Sequence, residues 1–142
     1  MLDITNRLKM ELKLLESEEK YRLLFEAESD AIFMIDAESG QILDTNPAAS
    51  KIYGYNRDEF LQMKNTDVSA EPEKTSDATQ RRDTKVLLRY HKKKDGTIFP
   101  VELSAGFTIF KGTKIQIVTS RDITDNMKMQ NTIRESEKNT AN

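Results

Sequence analysis

The chain has 142 residues, with 22 Lys+Arg against 24 Asp+Glu, and its net charge of −2 gives no general pull toward nucleic acid or an anionic membrane. Apolar residues make up 37% and charged residues 32%, against roughly 45–50% and 25% in typical globular chains, which predicts one domain with solvated helix or loop attached to it. The longest apolar run, Ala31–Ile35, is far below the roughly 20 residues of a membrane span, and no export signal is present, so a soluble cytoplasmic piece without direct membrane contact is expected.

No cysteine is present. Disulfides, thiolate nucleophiles, zinc–cysteine sites, iron–sulfur clusters and cysteinyl–flavin adducts are thereby excluded. The single histidine, His91, cannot build a multi-histidine metal site.

Residues 6–28 contain no Gly or Pro and carry Leu8, Leu12 and Leu15, then Leu14, Tyr21, Leu24 and Phe25. Spacings of four, three and seven predict an amphipathic helix whose stripe drifts slowly. Leu8, Leu12 and Leu15 form a seam able to pair two chains; packing of the helix on its own domain is the alternative, and the spacing does not choose between them. Residues 3–18, DITNRLKMELKLLESE, match residues 122–137, DITDNMKMQNTIRESE, at eight of sixteen positions without a gap. Shared helical composition does not fix the order D-I-T, then K-M, then E-S-E. The repeat brackets the body of the protein and reads as a cut from a tandem array with a period near 119 residues. Residues 1–20 are then the linker helix of a preceding repeat, 21–125 the domain, and 126–142 an outgoing helix that frays over Asn139–Asn142.

Within the domain the period changes to two. Ala31–Ile35 and Gln41–Thr45 are predicted strands around the Ser39-Gly40 turn. Asn46-Pro47 opens a helix that Gly54 stops, and Asn56-Arg57-Asp58-Glu59 is spaced as a capping box for a second short helix. Residues 69–85, SAEPEKTSDATQRRDTK, offer only Ala70 and Ala78 as apolar residues and are expected to be short and solvated. Three strands close the domain: Val86–Lys93, Thr97–Phe110 and Thr113–Asp122, joined at Asp95-Gly96 and Lys111-Gly112. Phe99, Val101, Leu103, Ala105 and Phe107 alternate with polar residues in the middle strand, and Ile115, Ile117 and Ile123 share a phase in the last. Thr124 or Asp122 is placed to cap the outgoing helix while Ile123 stays with the sheet, which predicts a coupled strand–helix joint at Asp122, Ile123 and Thr124 that transmits signal.

Five segments in order carry a resemblance. Phe25–Asp36 (FEAESDAIFMID), Gly40–Ala49 (GQILDTNPAA), Tyr53–Phe60 (GYNRDEF after Tyr53), Lys94–Glu102 (KDGTIFPVE) and Arg121–Thr124 (RDIT) resemble the motifs of the PAS domain over roughly residues 21–125. The resemblance implies an α+β fold: a five-stranded antiparallel sheet in the order 2-1-5-4-3, short helices on one face, and N- and C-terminal linker helices. It also implies a sensory or dimerising module that passes a conformational signal along its flanking helices, with a histidine kinase or a cyclic-di-nucleotide enzyme as output domain in the same chain.

Haem ligation in this family uses a His on the helix that here spans the solvated segment, and none is there; His91 lies in a Tyr-His-Lys-Lys-Lys strand, where solvent exposure is expected. Haem and cysteinyl-flavin are thus disfavoured, non-covalent flavin lacks a Trp to stack on, and the cofactor is left unassigned. A small metabolite between sheet and helices would meet Ile32, Met34, Ile52, Phe60, Val101, Leu103 and Ile117, side chains that equally suit a plain core. The glycines stand singly at turns, no general acid and base are paired, and short runs such as Lys92-Lys93-Lys94 and Arg81-Arg82 read as solvated faces, so neither nucleotide binding, catalysis nor a nucleic-acid partner is expected. The expected function is a non-catalytic sensory module of a multidomain signalling protein, homodimeric through its flanking helices, with a ligand-free dimerising spacer as the alternative.

Overall fold

The computed structural model describes residues 2–81 and 83–140; Arg82 and the last two positions of the expected frayed end lie outside the described residues. Helix α1, Leu2–Ala27, runs without interruption through the expected linker boundary at residue 20. Its apolar residues do not form one stripe: Leu8, Leu12 and Leu15 are all more than half exposed, and so are Met10 and Leu14 on other sides of the helix. Among the described residues no helix is long and apolar enough to cross a membrane.

Five strands follow, β1 (Ala31–Asp36), β2 (Ile42–Thr45), β3 (Lys85–Lys92), β4 (Ile98–Phe110) and β5 (Thr113–Asp122). They form one antiparallel sheet in the order β2-β1-β5-β4-β3. Glycines supply the left-handed backbone where the turns need it, and at Gly40 (φ 78°) the need is also steric: a Cβ there would lie 2.7 Å from Asn65 Oδ1.

Helices α2 (Pro47–Tyr53), α3 (Arg57–Phe60) and α4 (Pro72–Arg81), with a 3₁₀ turn at Asn65–Val68, lie between β2 and β3 in the chain. Asn46 caps α2 by accepting from the Ala49 amide, while its side chain also accepts from Ile32 N (2.8 Å) and donates to the Asp30 carbonyl (3.0 Å), stitching the helix to the start of β1. Asn56 and Glu59 form the reciprocal capping box of α3.

The segment expected to be short and solvated contains α4. It holds to the body through small and polar side chains: Ser69 Oγ accepts from the Glu71 amide and from Thr75 Oγ1 (2.9 and 2.8 Å), the Ala70 amide donates to the Tyr90 carbonyl, and Thr75 and Ala78 are buried. An apolar stripe was not required because the helix is anchored by hydrogen bonds and by close approach of small residues. Helix α5, Thr124–Thr140, leaves the end of β5 after one residue, Ile123.

Candidate functional site

One face of the sheet is covered. Phe33, Ile35, Val101, Phe99 and Val118 meet Ala49 and Tyr53 of α2, Phe60 of α3 and Val68 of the 3₁₀ turn. The rings stand edge-on, with Phe33 5.3 Å from Tyr53 and 5.5 Å from Phe60 and Tyr53 5.2 Å from Phe99, the arrangement that ring quadrupoles favour.

The structure brings together four of the seven predicted ligand-contact residues: Phe60 and Val101 lie in this core, with Ile52 and Leu103 packed against it. Ile32, Met34 and Ile117 do not join them. Strand β1 buries Ala31, Phe33 and Ile35 toward the helices, so Ile32 and Met34 point to the other face; Met34 is paired there with Ile117, which is 41% exposed. A run apolar on both faces carries no phase, and the inward residues of β5 are Gln116, Val118 and Ser120 instead.

His91 corrects the sequence reading outright. It is 4% exposed, because β3 carries a register shift between Val86 and Arg89 that turns Arg89 and His91 inward and leaves Leu87 and Leu88 facing water. The Tyr53 hydroxyl lies 2.6 Å from His91 Nδ1 and 2.7 Å from Ser120 Oγ, so one phenol bridges β3 and β5 beneath α2. Burial holds the His91 pKa down to about 4, with the Arg89 charge acting the same way and Glu71 opposing. Burial likewise pushes the Tyr53 phenol well above its ordinary value, so the bridge is neutral at physiological pH.

Beside this bridge lies a cleft of ≈ 50 Å³, lined on one side by Val68, Thr75 and Ala78 and on the other by Arg89, His91, Leu103, Gln116 and Val118. Three buried polar atoms of its lining have no hydrogen-bond partner among the described residues: Arg89 Nε, His91 Nε2 and Gln116 Oε1. The acidic side chains nearby are committed elsewhere. Glu71 accepts from Lys74 Nζ (2.8 Å) and from the Tyr90 amide (3.0 Å), contacts that with the nearby Arg89 charge hold its carboxyl below the usual range, and Asp83 pairs with Arg81. Among the described residues no cluster of three or more His, Asp or Glu is placed to hold a metal ion.

The predicted joint is built as a cap. Asp122 Oδ1 accepts from both the amide and the hydroxyl of Thr124, so Asp122 rather than Thr124 supplies the capping oxygen. The Ile123 amide donates to the Pro100 carbonyl (3.1 Å), tying the joint to β4. Arg121 pairs with Asp30, just before β1, at 3.3 Å. The start of β1 and the end of β5 are thus pinned together, with Ser120 of the buried bridge two residues from Asp122.

Arg89, Tyr53, Ser120 and Gln116 were not singled out from the sequence. The one signal available was the pair Tyr90-His91 after a bulged Leu87-Leu88, where either phase satisfies a two-residue alternation.

Residues 29–125 match the PAS domain family model. The chain is 30% identical over 145 aligned positions to Sporulation kinase E of Bacillus subtilis, covering 96% of this chain and 19% of that protein. It is 25% identical over 120 positions to the methyl sulfide methyltransferase-associated sensor of Methanosarcina acetivorans, covering 81% and 12%. The chain therefore spans less than a fifth of the length of these relatives. Among solved structures, a domain of a sensory box sensor histidine kinase/response regulator from Geobacter sulfurreducens superposes with a TM-score of 0.61 at 33% identity, covering 75% of this chain and 95% of that one. The PAS domain of an HTR-like protein from Haloarcula marismortui gives 0.70 at 23% identity, covering 81% and 98%. The fold, the five ordered motifs and a family match over more than half of its length make the chain a member of the PAS domain family.

Proposed function

We propose that this chain is the non-catalytic sensory and relay module of a multidomain sensor histidine kinase. The observation that carries the reading is the Tyr53 bridge: a group entering the cleft against His91 disturbs a hydrogen-bond chain that reaches Ser120 of β5, and β5 runs directly into the Asp122–Thr124 cap and α5. These contacts make a continuous physical route from cleft to outgoing helix, and a mutational test of coupling decides whether it is used. The likeness to kinase sensor domains supports the choice of output domain.

Asp122→Ala in an intact kinase carrying this domain is expected to abolish the stimulus-dependent change in autophosphorylation. The same substitution is expected to cost the isolated chain only about 1 kcal/mol, the usual worth of a helix cap. Asp122→Asn, which keeps the accepting oxygen, should retain the response. An unchanged response in the alanine variant, with stability lowered, would reduce the joint to a stabilising cap.

The exposed seam Leu8, Leu12 and Leu15 on α1 supports a second role in pairing two copies through the flanking helices. Sedimentation equilibrium should show a dimer that becomes monomeric when residues 1–20 are deleted. A dimer that survives the deletion would place pairing on the sheet and short helices.

A further inference from the structure

We propose that the cleft beneath α4 binds a two- or three-carbon monocarboxylate, whose carboxylate is held by Arg89 and His91 at the β3 end. The proposal rests on the sensory reading above and specifies the chemical class that the module senses.

Arg89 is 6% exposed, yet among the described residues no carboxylate is paired with it and its Nε–H has no acceptor. Glu71 lies near enough for the Arg89 charge to help hold its carboxyl down, but its two oxygens accept from Lys74 and the Tyr90 amide and Asp83 is paired with Arg81, so the buried Nε–H of Arg89 is left without an acceptor, which is unfavourable. The missing component is an anion with an acceptor oxygen, and a carboxylate matches a guanidinium edge.

His91 completes the site. With Ser120 donating to the Tyr53 oxygen and Tyr53 donating to Nδ1, the imidazole proton lies on Nε2, the second unpartnered donor of the lining. An acceptor at Nε2 selects this direction of the chain, whereas a donor there selects the reverse. The ligand's carboxylate thereby sets the orientation of the Ser120 hydroxyl on β5, which gives binding a readout on the strand that feeds α5.

The volume fixes the size. At about 10–15 Å³ per water-sized group, ≈ 50 Å³ admits about three to five non-hydrogen atoms, enough for acetate or propionate. Val68, Leu103 and Ala105 offer an apolar surface to the short carbon chain. Gln116 stands opposite Phe107 in the sheet register and Arg89 opposite Val101, six residues along β4, or about 20 Å at the backbone, so the acid does not span to Gln116.

The test is titration of the purified chain with acetate and propionate, alongside acetamide and propionamide, at constant ionic strength, followed by ¹⁵N NMR of the backbone amides and the Arg89 Nε–H. At least one acid should shift the Arg89 signal saturably while the amides do not. Arg89→Met, which removes the unpartnered buried donor and leaves the apolar stem, should remain folded and bind that acid at least tenfold more weakly; Arg89→Lys should fall between. No carboxylate-specific shift at Arg89, equal shifts with the amides, or undiminished binding by the folded Arg89→Met chain overturns the proposal. Failure of the relay reading looks different: saturable shifts at Arg89 and His91 with the Asp122, Thr124 and α5 amides unmoved uphold the carboxylate site and remove its connection to output.

Discussion

Lowering the pH from 7 to 4 is expected to cost the fold about 3 kcal/mol through His91 alone. The imidazole titrates near 6.5 in the unfolded chain and is held down to about 4 in the folded one, chiefly by burial. Between these values the unfolded state binds more protons than the native state, so the stability is fully present above pH 6.5 and is lost as the pH falls toward 4. A difference of about 2.5 units at 1.36 kcal/mol per unit gives the figure. The groups acting on the ring come from several elements: Arg89 on its own strand opposes the added proton, Glu71 at the start of α4 favours it, and the Tyr53 hydroxyl, itself bonded to Ser120, occupies Nδ1. The carboxylates of Asp36, Glu59, Glu71 and Asp95 are held below their ordinary range by hydrogen bonds and ion pairs, so their own losses come at lower pH. Urea unfolding of the chain and of His91→Gln at pH 7, 5.5 and 4.5 separates the two. The wild-type chain should lose stability across this range with a slope that the glutamine variant lacks, and parallel profiles would show that His91 is protonated as readily in the fold as outside it.

Phe60→Ala is expected to destabilise the chain by about 3–5 kcal/mol, the usual range for deleting a fully buried phenylalanine. Phe60 has no exposed surface, and its ring meets Phe33, Tyr53 and Tyr55 at centroid distances of 5.5, 6.3 and 5.4 Å. Helix α3 is only four residues long and is tethered by its capping box and by the Arg57–Asp44 and Glu59–Lys94 pairs as well as by this side chain, so the void does not close by a small helix shift. Against the roughly 5–15 kcal/mol that stabilises a typical domain, the loss is a large fraction. Denaturant titration should show a lower midpoint at an unchanged slope, and Phe60→Leu should recover much of the difference. A loss below about 1 kcal/mol would mean that α3 is not a keystone of the aromatic cluster.

The order of elements was legible because its punctuation is local: Ser39-Gly40, Asp95-Gly96 and Lys111-Gly112 mark turns, and Asn46-Pro47 and Asn56–Glu59 mark helix starts that the structure realises as caps. Apart from Leu103, the residues lining the cleft were not legible, and for two different reasons. Ala31–Ile35 is apolar on both faces, so the pattern names a strand without saying which way Phe33 points. In β3 the register shift after Val86 inverts the usual rule, burying Arg89 and His91 and exposing Leu87 and Leu88. A polar lining is invisible to a reading that equates inward with apolar. Helix α4 escaped for a related reason, since Ser69, Thr75 and Ala78 bury it without a hydrophobic stripe.

The junction at Ile123 also has a mechanical meaning. With one residue between β5 and α5, no flexible linker absorbs a movement of the strand end. A helix of 17 residues extends about 25 Å at 1.5 Å per residue, so a pivot of about 10° at its base would sweep the far end through about 4 Å. The Asp30–Arg121 pair sets the fulcrum where the end of β5 meets the start of β1. The proposed relay would then be a short-armed lever, in which displacements too small to disturb the core are enlarged at the end of the outgoing rod.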